Sequence, residues 1–325
     1  MSSARPHWLL YALGGGLGHL TRALALARAA SRRPTERGGA DCTIVANTPW
    51  ASALGPFVSE EAVRWIILSA SADRAAIAAA IERLLTQSWN LLIVDTFPRG
   101  LGGELAPLLG RVRCPRVLVH RDLDPRYVEA RRIRQFVAAH YDLVLSPGES
   151  GPLADLPRCH RTPPWLVRDA HELASRDDAR AALGITTGEP IVLVSAGGRP
   201  EELDDMRALA RGLAAEGRAV VFSSLADGGH FPLIERMAGV DVLVGGGGYH
   251  TVAEARATGT PLVGIAFPRR YDRQARRLAG FRTARDVVSA RQAVAELLET
   301  PRVALPSYQN GVHDAFGVLD ALTAG

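Results

Sequence analysis

The sequence predicts two α/β domains built on parallel sheets and facing a central cleft. Three observations carry that expectation. Short apolar runs of strand composition alternate with alanine-rich stretches along nearly the whole chain, the pattern of strand–helix–strand units. The 325 residues exceed one ordinary domain and suit two. A glycine turn stands between a strand and a helix in each half, at Gly14–Gly18 and again at Gly245–Gly248.

In the first half the apolar runs place strands at Trp8–Leu13, Cys42–Ala46, Arg64–Leu68, Leu91–Asp95, Val117–His120 and Leu143–Ser146. Helices are expected between them at Leu20–Arg32, Asp73–Leu85 and Val128–Ala139. Prolines then cluster from Pro147 to Pro164, which reads as a linker. A second set follows, with a helix at Asp177–Leu183 and strands at Ile191–Ser195, Ala219–Ser223, Val242–Val244 and Leu262–Ile265. Its helices are expected at Glu201–Ala215, Thr251–Thr258, Arg273–Leu278 and Ala290–Leu298, with a last one at Asn310–Leu322. The expected domains are residues 1–160 and 161–309, with helix 310–325 packing back towards the first domain.

Charged residues make up 22% and apolar ones 47%, the balance of a core-forming soluble protein. Mean hydropathy is near zero, and no apolar run reaches membrane-spanning length. Trp8–Leu13 is short and runs into Gly14-Gly15-Gly16, a strand entering a turn and not a secretory leader. Cys42, Cys114 and Cys159 are far apart and form no CxxC pair, so neither a disulfide framework nor a zinc site is expected, and the cytoplasm is the default location. The nine histidines show no metal-site spacing, and no metal is expected.

The chain contains no lysine, so all 38 basic residues are arginine. That excludes a P-loop lysine, a kinase strand lysine and any Schiff-base lysine. His120-Arg121-Asp122-Leu123 resembles a kinase catalytic loop, but Tyr127 stands where an asparagine is needed. The net charge of +4 suits anionic partners such as phosphates or an anionic lipid surface. No aromatic-basic motif accompanies it, so nucleic acid is not expected as a partner. Arg126, Arg131, Arg132 and Arg134 read as a solvated helix face in preference to a contact for an anionic acceptor or membrane surface.

Three loops carry candidate chemistry. The first is Gly14-Gly15-Gly16-Leu17-Gly18-His19, where glycines allow close backbone approach and the following helix offers unpaired N–H groups. His19 takes the third glycine position of GxGxxG and no acid ends the second strand, which argues against a dinucleotide. His19 and Asp95 both fall at the carboxyl edge of the expected sheet. They read either as a base and its orienting carboxylate or as a capping histidine and a turn-bonding aspartate. The second loop, Gly245–Gly248, leads into Tyr249-His250-Thr251 and is a candidate diphosphate turn. Thr251 and Glu254 fit a capping box, while Glu254 equally suits a ribose diol. The third, Ser195-Ala196-Gly197-Gly198-Arg199, is followed by Glu201 and Glu202, which already complement the helix dipole. Asp122-Leu123-Asp124 matches a metal-binding DxD, but Pro125 points to a helix cap.

Taken together these residues resemble the GT-B glycosyltransferases, family 28 and its MurG-like group, over nearly the whole chain. The most specific stretch runs from Gly245 through Glu254, then Gly259-Thr260-Pro261-Leu262, then Arg270-Tyr271-Asp272-Arg273-Gln274. The resemblance implies two Rossmann-like domains and a nucleotide-diphosphate sugar, a UDP-sugar in that group, as co-substrate with no cofactor. By position it assigns Gly246, Gly247, Gly248 and Thr251 to the diphosphate, Glu254 to the ribose, and Asp272 and Gln274 to sugar hydroxyls. Gly197 and Arg199 fall on the donor side, while Gly16, Gly18 and Arg22 form the acceptor-side loop. His19 falls on the group's base and Asp95 on its supporting aspartate, for one inverting displacement in which Arg199 or Arg269 could stand in for a metal. The Gly16-x-Gly18-His19-x-x-Arg22 form is also shared with the PseG-type UDP-sugar hydrolases, where the histidine would activate water. A third reading is a non-catalytic nucleotide-sugar-binding protein that keeps the fold, which ranks last because both His19 and the donor motif are present. The acceptor, whether a lipid-linked group or a small metabolite, is not named by the sequence. The resemblance is compatible with docking at the inner membrane surface.

Overall fold

The computed structural model describes residues 5–48, 50, 54, 63–185, 188–197, 200–300 and 307–323. Two compact units divide the chain: Met1–Val167 together with Asn310–Gly325, and Arg168–Gln309.

The first unit is laid down as β1 (His7–Tyr11), α1 (Leu17–Arg32), β2 (Asp41–Ala46), β3 (Val63–Ile67), α2 (Arg74–Leu85), β4 (Leu91–Asp95), β5 (Arg116–Val119), α3 (Pro125–Ala130), α4 (Ile133–His140), β6 (Leu143–Pro147) and β7 (Cys159–Thr162). Its seven strands pair in the order β3-β2-β1-β4-β5-β6-β7, every pair parallel. The central strands are buried from end to end, as in β4, which is why they read as unbroken apolar runs and not as alternating ones. The chain builds outward from β1 to β3 and returns to β4 on the other side. The point between β1 and β4 is therefore a topological switch point, where open parallel sheets hold ligands beyond their carboxyl ends.

Three expectations need correction here. The proline-rich stretch expected as a linker contains β7, paired to β6 from Val144↔Cys159 to Pro147↔Thr162. As an edge strand it buries little of itself, so no apolar run marks it. Trp165, Leu166 and Val167 that follow are at most 2% exposed, and Asn310 holds Leu166 through both amide atoms, at 3.0 and 2.8 Å. The boundary thus falls after Val167 and not after residue 160. The helix expected over Val128–Ala139 is two helices, broken at Arg132, whose φ of 48° is left-handed. Helix α1 starts three residues earlier than expected, which puts His19 inside its first turn.

The last helix, numbered after those of the second unit as α10 (Val312–Thr323), belongs to the first unit. Arg33 pairs with its Asp320 at 2.8 Å and lies 4.0 Å above the Phe316 ring.

The second unit comprises α5 (Arg176–Ala182), β8 (Ile191–Ser195), α6 (Pro200–Ala214), β9 (Ala219–Ser223), β10 (Val242–Gly246), α7 (Tyr249–Thr258), β11 (Leu262–Ile265), α8 (Gln274–Arg277), β12 (Arg282–Thr283) and α9 (Val287–Leu298). The strand order is β12-β11-β10-β8-β9, again all parallel, with its own switch point between β8 and β10. Leu193, Leu243, Val252, Leu262 and Leu278 form the centre of its core. Among the described residues no helix is long and apolar enough to cross a membrane, and no cluster of side chains could hold a metal ion.

Candidate active site

In the first unit the β1–α1 turn and the end of β4 meet at the switch point. Gly16 caps α1 with backbone alone, and His19 is the third residue of the helix. Its Nδ1 lies 2.6 Å from Asp95 Oδ2. Arg22, one turn further along α1, donates from Nε to Asp95 Oδ1 at 2.7 Å and from Nη2 to Oδ2 at 2.8 Å. The Thr96 hydroxyl donates to Asp95 Oδ2 at 2.9 Å, from a backbone held at φ 65°. Phe97 stacks on the His19 ring at 5.3 Å. Gly14 is fixed through its N–H to Asn47 Oδ1 at 2.9 Å, and a Cβ there would stand 2.2 Å from His19 Cδ2. Only glycine fits against this ring.

The electrostatics follow from burial and pairing. Burial would raise the Asp95 carboxyl, but the Arg22 charge, helped by the His19 and Arg22 hydrogen bonds, overcomes it and holds the group well below the usual carboxylate range. Burial lowers His19, and although Asp95 opposes this, Arg22 and Arg121 add to the lowering. A helix N-terminus disfavours an imidazolium as well. A neutral ring with Nδ1–H on a carboxylate carries its lone pair on Nε2, the arrangement of a general base. Arg22 is fully buried, so its part is to hold Asp95. Gly16 and Gly18 lie in the same turn. Asp124 caps α3 by accepting the Arg126 N–H at 2.8 Å, which accounts for the second aspartate of the DxD.

In the second unit the glycine turn straddles a strand end. Gly245 and Gly246 still pair with β11, and the Gly247 N–H goes to Ile265 O at 2.9 Å. Gly248 is the N-cap of α7, with no side-chain cap. The backbone N–H groups gathered at this helix start are those of the N-cap Gly248 and of Tyr249, His250 and Thr251. The capping box is absent: Thr251 is the third helical residue and Glu254 the sixth. Glu254 is 4% exposed, and burial alone pushes its carboxyl up to about 8. Asp272 pairs with Arg277, and Gln274 Oε1 accepts the Phe267 N–H at 2.9 Å. Arg269 forms an ion pair with Glu202. Gly197 is exposed at the end of β8, and Arg199 lies outside the described residues. Sequence reasoning missed Asn47, Thr96, Phe97 and Arg277, none of which a local motif marks.

No protein-family model matches the chain, and no curated protein matches it. Solved structures do. The glycotransferase of kitacinnamycin is 17% identical with a TM-score of 0.66, covering 98% of this chain and 100% of that one. A putative UDP-N-acetylglucosamine 2-epimerase from Listeria monocytogenes is 12% identical with a TM-score of 0.64, over 99% and 96%. MurG of Acinetobacter baumannii is 14% identical with a TM-score of 0.53, over 97% and 99%. At such identities the likeness establishes the fold, which is that of the GT-B glycosyltransferases.

Proposed function

We propose that this protein is an inverting, metal-independent glycosyltransferase that moves a sugar from a nucleoside diphosphate to an acceptor hydroxyl. The observation that carries the reading is the 2.6 Å contact from His19 Nδ1 to Asp95, with Arg22 pinning the same carboxylate. In this mechanism His19 Nε2 takes the proton of the acceptor oxygen as that oxygen attacks the anomeric carbon. Asp95 steadies the imidazolium that forms. The departing diphosphate is stabilised by the backbone N–H groups at the start of α7 and by its dipole, while Glu254 accepts the ribose hydroxyls. Uridine is the preferred nucleotide and the family 28 group the preferred placement, on the resemblance of Gly245–Glu254 and Asp272–Gln274. No cofactor takes part, and the nucleotide sugar is a co-substrate. A cytoplasmic location goes with such a donor. The acceptor is a lipid-linked group or a small metabolite.

Water is the second reading for the acceptor. It is favoured by Arg22, whose place on Asp95 explains the glycine-histidine-arginine form shared with the UDP-sugar hydrolases. The first experiment is a thermal-shift panel of UDP, TDP, GDP, ADP and their common sugars on wild type and Glu254→Ala. A ligand at about 100 times its Kd adds roughly 2.7 kcal/mol, or several degrees for a chain of this size. One nucleotide sugar should stabilise wild type and not the variant. Release of the nucleoside diphosphate with no acceptor added then marks the hydrolase, while release only with an acceptor extract marks the transferase. Stabilisation by no nucleotide would sink the donor reading.

A further inference from the structure

The Asp272-x-Gln274 segment is tied to the glycine turn by a residue that no motif points to. Arg277, the last residue of α8, is 8% exposed. Its Nη2 donates to Asp272 Oδ1 at 2.8 Å and its Nη1 lies 3.4 Å from Oδ2. The same Nη1 donates to the Gly247 carbonyl at 2.7 Å. One guanidinium thus bridges the two stretches of chain that the donor reading gives to different parts of one ligand. Neighbouring side chains reinforce the bridge. A Cβ on Gly247 would stand 2.9 Å from Leu278 Cδ1 and 3.0 Å from Gln274 Cβ, so α8 lies directly against the turn.

The consequence follows from peptide geometry. The Gly247 carbonyl and the Gly248 N–H belong to one planar trans unit and point in opposite directions. Pinning that oxygen aims that N–H. The Gly247 N–H is already held by Ile265, so Arg277 fixes the remaining freedom of the residue. A charged donor on the carbonyl also polarises the unit and strengthens its N–H as a donor. At the other end the guanidinium holds the Asp272 carboxylate in place, and a carboxylate accepts hydroxyl hydrogens.

We propose that Arg277 is the positioning residue of the donor site, coupling recognition of the diphosphate at Gly248 to recognition of the sugar hydroxyls at Asp272. The ligand class is a nucleoside diphosphate sugar, and the inference rests on the donor reading above. Arginine is required because two nitrogens of one planar group serve two targets, and a lysine ammonium is a single point.

Isothermal titration of full-length wild type, Arg277→Gln and Arg277→Lys tests this, using UDP and the nucleotide sugar that wild type binds most tightly in the panel. Arg277→Gln should weaken both ligands by about tenfold or more, the usual size of a lost charge-assisted hydrogen bond. It should also bring the affinity ratio of nucleotide sugar to UDP close to one. Arg277→Lys should recover melting temperature and part of the UDP affinity, yet leave the ratio low. Variants that melt earlier but, below their melting temperatures, keep the wild-type affinities and ratio would reduce Arg277 to a structural brace and overturn the proposal. Should Arg277→Gln fail to fold, an unchanged ratio in Arg277→Lys overturns it equally. If wild type itself binds no nucleotide sugar, the donor reading falls, and the coupling role falls with it.

Discussion

The two units put a candidate site at the same topological position and furnish it in opposite ways. Both switch points lie beyond a glycine turn, and both turns end in a glycine that caps a helix with backbone alone. At the first, charge is answered by charge: the Asp95 carboxylate receives His19, Arg22 and Thr96 within 2.9 Å. At the second, Glu254 is buried, and desolvation is the cause of its raised pKa. Several hydrogen bonds converging on one carboxylate hold one geometry in advance, as proton transfer needs. A buried carboxyl held neutral by desolvation costs stability once ionised, until hydroxyls arrive to bond it. The contrast fits a base waiting in one unit and a ligand cradle waiting in the other.

The largest effect should come from His19→Ala. Turnover is expected to fall by about 10²–10⁴, the usual share of a general base, while donor affinity by titration stays near wild type. Glu254→Ala should do the reverse and weaken the donor first. Normal turnover in His19→Ala would end the assignment of the base to the first unit.

Next in size is Arg22→Met, which leaves Asp95 buried beside His19 without its cation. Breaking a buried pair costs about 3–5 kcal/mol, readable as a lower urea midpoint at pH 7. The pH dependence has a definite sign. Asp95 sits below its unfolded value in wild type, so its contribution is present above the ordinary carboxylate pKa and is lost as pH falls through the folded value. The variant loses that depression, so its deficit should narrow below about pH 4. A deficit constant with pH would mean that the cost is packing, not charge.

Glu254→Gln tests the other side of the comparison. The native carboxyl keeps its proton up to about pH 8, whereas the unfolded chain releases it at about pH 4.3, the ordinary glutamate value. Stability linked to this group is full below that lower value and is lost as pH rises through the window, by about 1.4 kcal/mol per unit at most. Glutamine has no such slope, so the variant should gain on wild type between about pH 5 and 8. Ligand-free stability curves that stay parallel would show Glu254 to be paired after all. Hydroxyls donating into the carboxylate favour its ionised form, so wild-type donor affinity should climb over the same window.

Much of this was legible in the sequence because buried parallel strands are apolar without interruption. The missing elements lacked that signal. β7 (Cys159–Thr162) and β12 (Arg282–Thr283) are edge strands with polar sequences. The break between α3 and α4 had a trace in the spacing: buried Val128 and Ile133 lie five apart, which no single helix face provides. His19 and Asp95 were readable as sheet-edge residues. Arg22 shares their face one turn on, but its target could not be read. Glu254 hinged on whether α7 starts at Tyr249 or Thr251, the kind of boundary that local propensity leaves open by a residue or two. The bridge from Arg277 to Gly247 spans 30 residues, so no local pattern announces it.

The smallest effect expected is that of Gly247→Ala, and it separates the two turns. Neither Gly14 nor Gly247 has a positive φ, so alanine strains neither backbone, and only the space beside each Cα decides. At Gly14 the new methyl would meet the His19 ring, which is held by Asp95 and stacked on Phe97. At Gly247 it meets Leu278 Cδ1 at 2.9 Å, and Leu278 Cγ and Gln274 Cβ at 3.0 Å. Overpacking of this kind costs about 1–3 kcal/mol, and the wider gap at Gly247, 2.9 Å against 2.2 Å at Gly14, should keep Gly247→Ala at the low end. The displaced α8 would still carry Arg277 and Gln274 away from the turn by a few tenths of an ångström. Donor affinity should therefore drop severalfold while the melting temperature changes little. A Gly247→Ala protein that binds donor normally would show that the glycine is kept for packing alone, and the cradle would then reduce to the helix terminus and Glu254.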